Sequence, residues 1–100
     1  MKATIDVTPI ESAKGHAFEV IVREGGGETR HRVTVSEEDL RRFGGGKVGP
    51  AALVKESFYF LLDREPKEAI LGSFEISVIA RYFPEYPREI VMRLGGGSCQ

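Results

Sequence analysis

The side chains of this 100-residue chain that could do chemistry are few and far apart in the sequence. The two histidines are His16 and His31, and the single cysteine is Cys99. A zinc site needs His and Cys ligands at short spacings such as Cys-x-x-Cys or His-x-x-x-His, and neither pattern occurs. Cys99 follows Gly95–Gly97, and nothing beside it in the sequence would activate its thiol. We therefore predict no metal site, no cofactor and no catalytic residue, and we expect that the chain is not an enzyme.

Two other patterns have structural explanations. The acidic run Glu37–Asp39 follows Ser36 and is typical of a capped helix start, where carboxylates favour the helix dipole. A phosphate-binding loop needs a strand, then glycines, then Lys-Ser or Lys-Thr; Lys47 follows a glycine run but precedes valine. We predict that the three Gly-Gly-Gly runs are connectors.

The composition indicates a small soluble domain. Fourteen basic and fifteen acidic residues leave a net charge of −1, and 41% of the residues are apolar. A near-neutral chain exerts no overall attraction on nucleic acid or on a membrane. The lone cysteine and the alternating polar N-terminus favour a cytoplasmic location without a membrane partner. We predict one α+β domain over residues 1–94 and a flexible tail over residues 95–100.

Three stretches near the N-terminus alternate in polarity, which predicts half-buried strands over 2–8, 17–24 and 29–35. The last two form a hairpin, and pairing Glu24 with Thr29 places the apolar residues of both strands on one face. The opposite face then carries Arg23, Arg30 and Arg32, which are candidates for contact with anions or nucleic-acid phosphates. The expected sheet is an antiparallel hairpin or a three-stranded antiparallel sheet.

Short helices are predicted for the rest of the chain. One follows Ser36, and the next is a strongly apolar central helix over 50–64, with Pro50 in its first turn. Further helices are expected over 67–71, 74–83 and 87–94, each ended by a glycine or a proline. The predicted class is therefore α+β, with an N-terminal sheet followed by helices around one central apolar helix.

A motif in the C-terminal half resembles a known family. The motif has the form F-x-F-L-L-x-R-E-P, then I-L, then Y-F-P-E-Y. It is carried by Phe58, Phe60, Leu61, Leu62, Arg64, Glu65, Pro66, Ile70, Leu71, Tyr82, Phe83, Pro84, Glu85 and Tyr86. In these residues the chain resembles a family of small, functionally uncharacterised bacterial proteins. The resemblance implies a small, soluble bacterial protein and brings no activity, ligand or catalytic residue with it.

Most aromatic residues of this half are expected in a helical core, while some could form a partner surface. Tyrosine and phenylalanine concentrate in protein-binding hot spots. The candidates for such a surface are Tyr59, Phe60, Tyr82 and Tyr86. The central helix also has more apolar surface than a chain this small easily covers, which favours a homodimer. We predict a non-catalytic protein-interaction module whose partner is another protein or a second copy of the chain.

The alternative hypothesis is a nucleic-acid-binding regulator. It would use the arginine face of the sheet, or a degenerate helix-turn-helix over residues 67–83. The net charge of −1 disfavours this alternative, because dedicated nucleic-acid binders are usually basic.

Overall fold

A computed structural model describes residues 3–10, 15–44 and 49–94 of the chain. It confirms the predicted α+β class: three N-terminal strands and a short later strand form one sheet, and several short helices make up the rest of the described chain. The elements in chain order are β1 (Thr4–Ile10), β2 (His16–Glu24), β3 (Gly27–Val35), α1 (Glu37–Gly44), α2 (Pro50–Leu62), a 3₁₀ turn (Lys67–Ala69), β4 (Ser73–Glu75), α3 (Val78–Tyr82) and α4 (Tyr86–Arg93). The predicted tail with Cys99 and two of the three glycine runs fall wholly or partly outside the described residues.

The sheet has the order β1-β2-β3-β4. The first three strands are antiparallel, as predicted, and β4 adds a parallel edge strand that was not predicted from the sequence. β1 also runs on past its predicted end, because Pro9 pairs opposite Phe18. Proline is tolerated there since β1 is an edge strand, where a missing N–H removes no inner hydrogen bond.

The alternation in the strands buries one face of the sheet. Phe18, Val20 and Val22 of β2 are buried, and so are His31, Val33 and Val35 of β3. This confirms the predicted faces, since side chains two residues apart point to the same side.

The predicted hairpin register is wrong by two residues. Glu24 pairs with Gly27 rather than with Thr29, so the loop contains only Gly25 and Gly26. Both glycines have positive φ, 63° and 84°. Two-residue hairpin loops require this conformation to match the strand twist, and glycine adopts it without steric cost.

The tighter turn also removes a charge conflict. The predicted register placed Arg23 opposite Arg30, whereas the observed one places Arg23 opposite Glu28 and Arg32 opposite Glu19. Opposite charges across a strand pair stabilise it, and like charges destabilise it. A shift by two preserves the buried face, so hydrophobic alternation could not distinguish the two registers.

The start of α1 follows the predicted cap. The Asp39 backbone N–H donates to Ser36 Oγ at 3.0 Å. Phe43 near the end of α1 is fully buried, and its ring lies 5.1 Å from the ring of Tyr86. The cap and this aromatic contact orient α1 against the other helices.

The central helix α2 is buried on several sides. It packs on β1 of the sheet and is covered elsewhere by α1 and α4. Its buried residues are Leu53, Val54, Ser57, Phe58, Phe60 and Leu61. The apolar surface that favoured a homodimer is therefore largely covered within a single chain. No helix among the described residues is long and apolar enough to cross a membrane.

The helix predicted over 74–83 is wrong in its first half. Phe74 lies in β4, and helix α3 begins only at Val78. The segment from Lys67 to Ala69 forms a single 3₁₀ turn. Residues 67–83 therefore do not form the two helices that the helix-turn-helix alternative requires.

Candidate functional site

The four aromatic residues predicted as a partner surface do not form one. Phe60 and Tyr86 are fully buried, and their rings pack edge to face with centroids 5.2 Å apart. Tyr59 is half-buried, whereas Tyr82 is 67% exposed. The prediction of Phe60 and Tyr86 as surface residues is wrong because α4 packs over the side of α2 that carries Phe60.

The polar residues of the C-terminal motif support this packing. The Arg64 guanidinium lies 3.8 Å from the centre of the Phe60 ring, and its Nε donates to Glu85 Oε2 at 2.9 Å. Phe83 packs edge to face on Phe60 at 5.8 Å. These contacts join the end of α2 to the turn before α4, so Arg64 and Glu85 of the motif have a structural role.

The Arg64–Glu85 pair makes stability depend on pH. The hydrogen bond from Arg64 lowers the pKa of the Glu85 carboxyl below its ordinary 4.5. A lowered pKa in the folded state stabilises the fold above pH 4.5, and the effect is lost as the carboxyl protonates. We expect Glu85→Gln to melt below the wild type at pH 7, and the difference to close as the pH falls through this range.

The control for this prediction is Glu56→Gln, which removes a carboxylate that has no ion pair among the described residues. Thermal melts followed by circular dichroism at pH 7 and at pH 3 measure both variants. A difference for Glu85→Gln that persists unchanged at pH 3 would contradict the assigned ion pair.

A buried polar pair joins α2 to α4. The Ser57 hydroxyl donates to the Leu53 carbonyl at 2.7 Å, so the Tyr86 hydroxyl must donate to Ser57 Oγ, also at 2.7 Å. Both side chains are fully buried. Burial raises the pKa of the Tyr86 phenol above its ordinary value of about 10. The arrangement keeps the phenol protonated and satisfied, as a structural hydroxyl requires.

The two members of this pair should differ in how much stability is lost when each is removed. Ser57→Ala leaves the Tyr86 hydroxyl buried without its acceptor, which costs about 1–3 kcal/mol. Tyr86→Phe leaves Ser57 bonded to Leu53, so the cost should be only about 0.5–1.5 kcal/mol. Urea denaturation of the two variants at pH 7 measures both. A larger loss for Tyr86→Phe than for Ser57→Ala would show that the hydrogen bonds are arranged differently.

The same phenol predicts a loss of stability at alkaline pH. In the unfolded chain Tyr86 ionises above about pH 10, while in the folded chain it stays protonated. The free energy of unfolding should therefore fall above pH 10, by up to about 1.4 kcal/mol per pH unit from this group. The advantage of the wild type over Tyr86→Phe should shrink between pH 9 and pH 11. A constant difference across that range would contradict the prediction.

The two histidines form hydrogen bonds in separate parts of the fold. His31 is buried; its Nδ1–H donates to the Leu71 carbonyl at 2.8 Å, and its Nε2 lies 2.8 Å from Thr29 Oγ1. His16 Nε2 lies 2.9 Å from Glu37 Oε2. Within the described ranges, no group of three His, Cys, Asp or Glu side chains could hold a metal ion. The hydrogen bond from His31 therefore joins β3 to the segment that leads into β4.

The structure places the three predicted arginines on the exposed sheet face, and two of them form ion pairs with neighbouring acids. Arg23 bonds both Asp6 and Glu28, the latter at 3.3 Å, and Arg30 bonds Glu19 at 3.5 Å. Paired charges on a solvated surface offer little net attraction to a polyanion. This face gives the nucleic-acid alternative weak support.

An apolar groove with a volume of about 340 Å³ lies beside β4. Its lining includes Ile70 and Leu71 before β4, Phe74 of β4, and Val78 and Tyr82 of α3. Leu71 and Tyr82 are 47% and 67% exposed, so large apolar side chains stand at the rim. Apolar clefts of this size are the usual form of binding sites.

Within the described ranges, one charged side chain lines the groove. Glu65, which follows α2, is half-buried there. Among the described residues, no cation lies within 4 Å of its carboxylate. The groove therefore combines an apolar lining with one acidic group.

Sequence reasoning missed this groove because it predicted a helix across Phe74. The stretch Ser73–Ser77 alternates polar and apolar residues, which is a strand signal. Phe74, Val78 and Tyr82 also recur at helical spacing, and this spacing predicted a helix. Of the predicted partner residues, only Tyr82 lines the groove.

Comparison of the chain with models of protein families, with curated proteins and with solved structures found no match. The class of protein is therefore defined by the fold and the groove: a small α+β domain with an apolar cleft beside an edge strand.

Proposed function

We propose that the chain is a non-catalytic protein-interaction module and that the groove beside β4 binds its partner. The observation that carries this proposal is the pair of exposed apolar side chains, Leu71 and Tyr82, that line an apolar cleft. Covering an exposed apolar cleft with a partner lowers the free energy, because apolar surface is removed from water. Tyrosine is also frequent in binding hot spots. The resemblance and the lone cysteine favour the bacterial cytoplasm as its location.

The proposal is tested with a surface variant that keeps the fold. Leu71→Ser combined with Tyr82→Ser makes the rim polar and alters only exposed side chains, so its melting temperature should stay close to that of the wild type. A matched control is Val91→Ser with Met92→Ser, which alters the exposed apolar residues of α4 outside the groove.

The measurement is binding of purified chain to partners captured from its host cells, or to itself. Light scattering behind a sizing column gives the mass of the free chain and of each reconstituted complex. We expect the groove variant to lose the interaction and the α4 variant to keep it. Loss of binding in the α4 variant alone would place the partner surface outside the groove and overturn the proposal.

The nucleic-acid alternative gives a different result in the same experiment. Bound nucleic acid would raise the absorbance at 260 nm, and salt would remove it, because phosphate contacts weaken as salt rises. Substituting Arg23, Arg30 and Arg32 would then abolish that binding, and the groove variant would not.

A further inference from the structure

We propose that the groove takes its partner as an added β-strand: an extended segment with alternating basic and apolar side chains, paired to the free edge of β4. This inference rests on the proposed function and names the chemistry of the partner. It follows from the direction of the β4 backbone groups, from the side of the sheet on which the groove lies, and from the charges around it.

Within the part of the chain that the structure describes, the side of β4 that points away from β3 has backbone groups available for pairing. The Arg32 N–H donates to the Gly72 carbonyl at 2.8 Å, and the Ile76 N–H donates to the Thr34 carbonyl at 2.9 Å. Backbone groups alternate in direction along a strand, so those of Ser73 and Glu75 point away from β3. β4 is the last strand of the sheet in the described part of the chain. An incoming strand would find donors and acceptors at both residues, as in known peptide recognition by strand addition.

The groove lies on the side that such a strand would fill. Phe74 pairs with the buried Val33, so its side chain points to the helix side of the sheet, where it lines the groove. Residues directly opposite each other in paired strands share a face. A partner residue opposite Phe74 would therefore place its side chain in the groove. Because the lining is mostly apolar, that side chain should be apolar.

The charges around the edge favour a basic segment. Glu65 lines the groove on the helix side of the sheet. Glu75 of β4 is exposed on the opposite face. Neither carboxylate has a cation within 4 Å among the described residues, whereas the neighbouring Asp63, Glu68 and Glu85 are each paired. Lysine or arginine next to Glu75 would lie on the same face of the sheet and complement that acid.

The same charges disfavour a second copy of the chain as the occupant. Two copies joined at β4 would bring two copies of Glu65 and of Glu75 to one interface. Like charges at an interface oppose association, whereas a basic strand of another protein would offset the negative charge. Charge complementarity therefore selects a different protein with a basic, alternating segment.

The test uses the full chain labelled with ¹⁵N and a capped synthetic peptide of alternating lysine and valine. One control peptide has the same composition in two blocks, and the other has glutamate in place of lysine. We expect saturable shifts for the alternating lysine peptide at residues 71–75, Glu65 and Tyr82, and much weaker binding of both controls.

Two variants with matched controls distinguish strand addition from simple contact. Ser73→Pro removes an outward N–H and leaves the hydrogen bonds to β3, so affinity should fall about three- to tenfold, while Ser73→Ala should keep it. Glu75→Lys alters an exposed side chain and should shift the preference towards the glutamate peptide. This second variant keeps the test decisive if Ser73→Pro does not fold.

Each outcome has a distinct meaning. Failure of the lysine peptide to bind overturns the inferred partner chemistry, while the proposed function is still judged by the groove variant of Leu71 and Tyr82. Binding in the groove that Ser73→Pro and Glu75→Lys leave unchanged overturns strand addition and keeps the groove. Shifts outside the groove count against both. A dimer of the free chain that Ser73→Pro separates would make a second copy the occupant and overturn the basic segment.

Discussion

Replacing Phe60 by alanine is expected to lower the free energy of unfolding by about 3–5 kcal/mol. Phe60 is fully buried, and its ring contacts Phe83 and Tyr86 edge to face at 5.8 and 5.2 Å. Arg64 also lies over its face at 3.8 Å. The substitution removes a large apolar side chain and leaves a cavity between α2 and α4, where rigid neighbours cannot collapse fully.

The control for Phe60 is Tyr82→Ala. Tyr82 is 67% exposed, so its removal should change the free energy of unfolding by about 0.5 kcal/mol or less. Urea denaturation followed by circular dichroism measures both variants. Equal, small effects would mean that Phe60 lies on the surface, as the sequence analysis predicted, and would contradict the packing of α4 on α2.

Replacing Phe58 by alanine should have an effect of similar size on another side of α2. Phe58 is fully buried, and its ring centre lies 5.2 Å from His31 and 6.0 Å from Phe74. It therefore connects α2 to β3 and to β4. We expect a loss of about 3–5 kcal/mol, which would be a large fraction of the total stability of a domain of this size.

The melting temperature gives the simplest measurement for Phe58→Ala. A loss of 1 kcal/mol lowers it by about 4–8 °C in a domain of this length, so a fall of at least about 12 °C is expected. Phe58→Leu retains most of the apolar volume and should lose less. A fall of only a degree or two for Phe58→Ala would refute its place in the core.

The Phe58 variant also bears on the groove. Phe74 packs on Phe58 and lines the groove beside β4. In Phe58→Leu, which is expected to fold, shifts in the amide signals of residues 71–75 would show that α2 positions the groove wall. Unchanged signals there would mean that β3 alone holds β4 in place.

Much of the fold could be predicted because its signals are local. Alternation of apolar residues assigned the buried faces of β2 and β3, and Ser36 marked the start of α1. Pro50 marked the start of α2, where its missing N–H costs nothing. In each case the deciding interaction joins residues that are near in the sequence or that share one period.

The errors arose where the local sequence was compatible with two different structures. Hairpin registers that differ by two residues bury the same face, and the choice depended on the φ values of Gly25 and Gly26 and on the charges opposite Arg23. The residues around Phe74 fit both a strand and a helix. Pairing with the open edge of β3 decided for the strand, and that edge is about 40 residues away in the sequence.

The sequence by itself determined the α+β class, the faces of the sheet and the position of the central helix. Only the tertiary structure decided which aromatic residues are buried, because α2 is apolar on several sides and each side is covered by a different element. α4 covers Phe60, whereas nothing among the described residues covers Tyr82 as fully. The groove, its acid Glu65 and the edge strand β4 exist only once those distant segments have packed together.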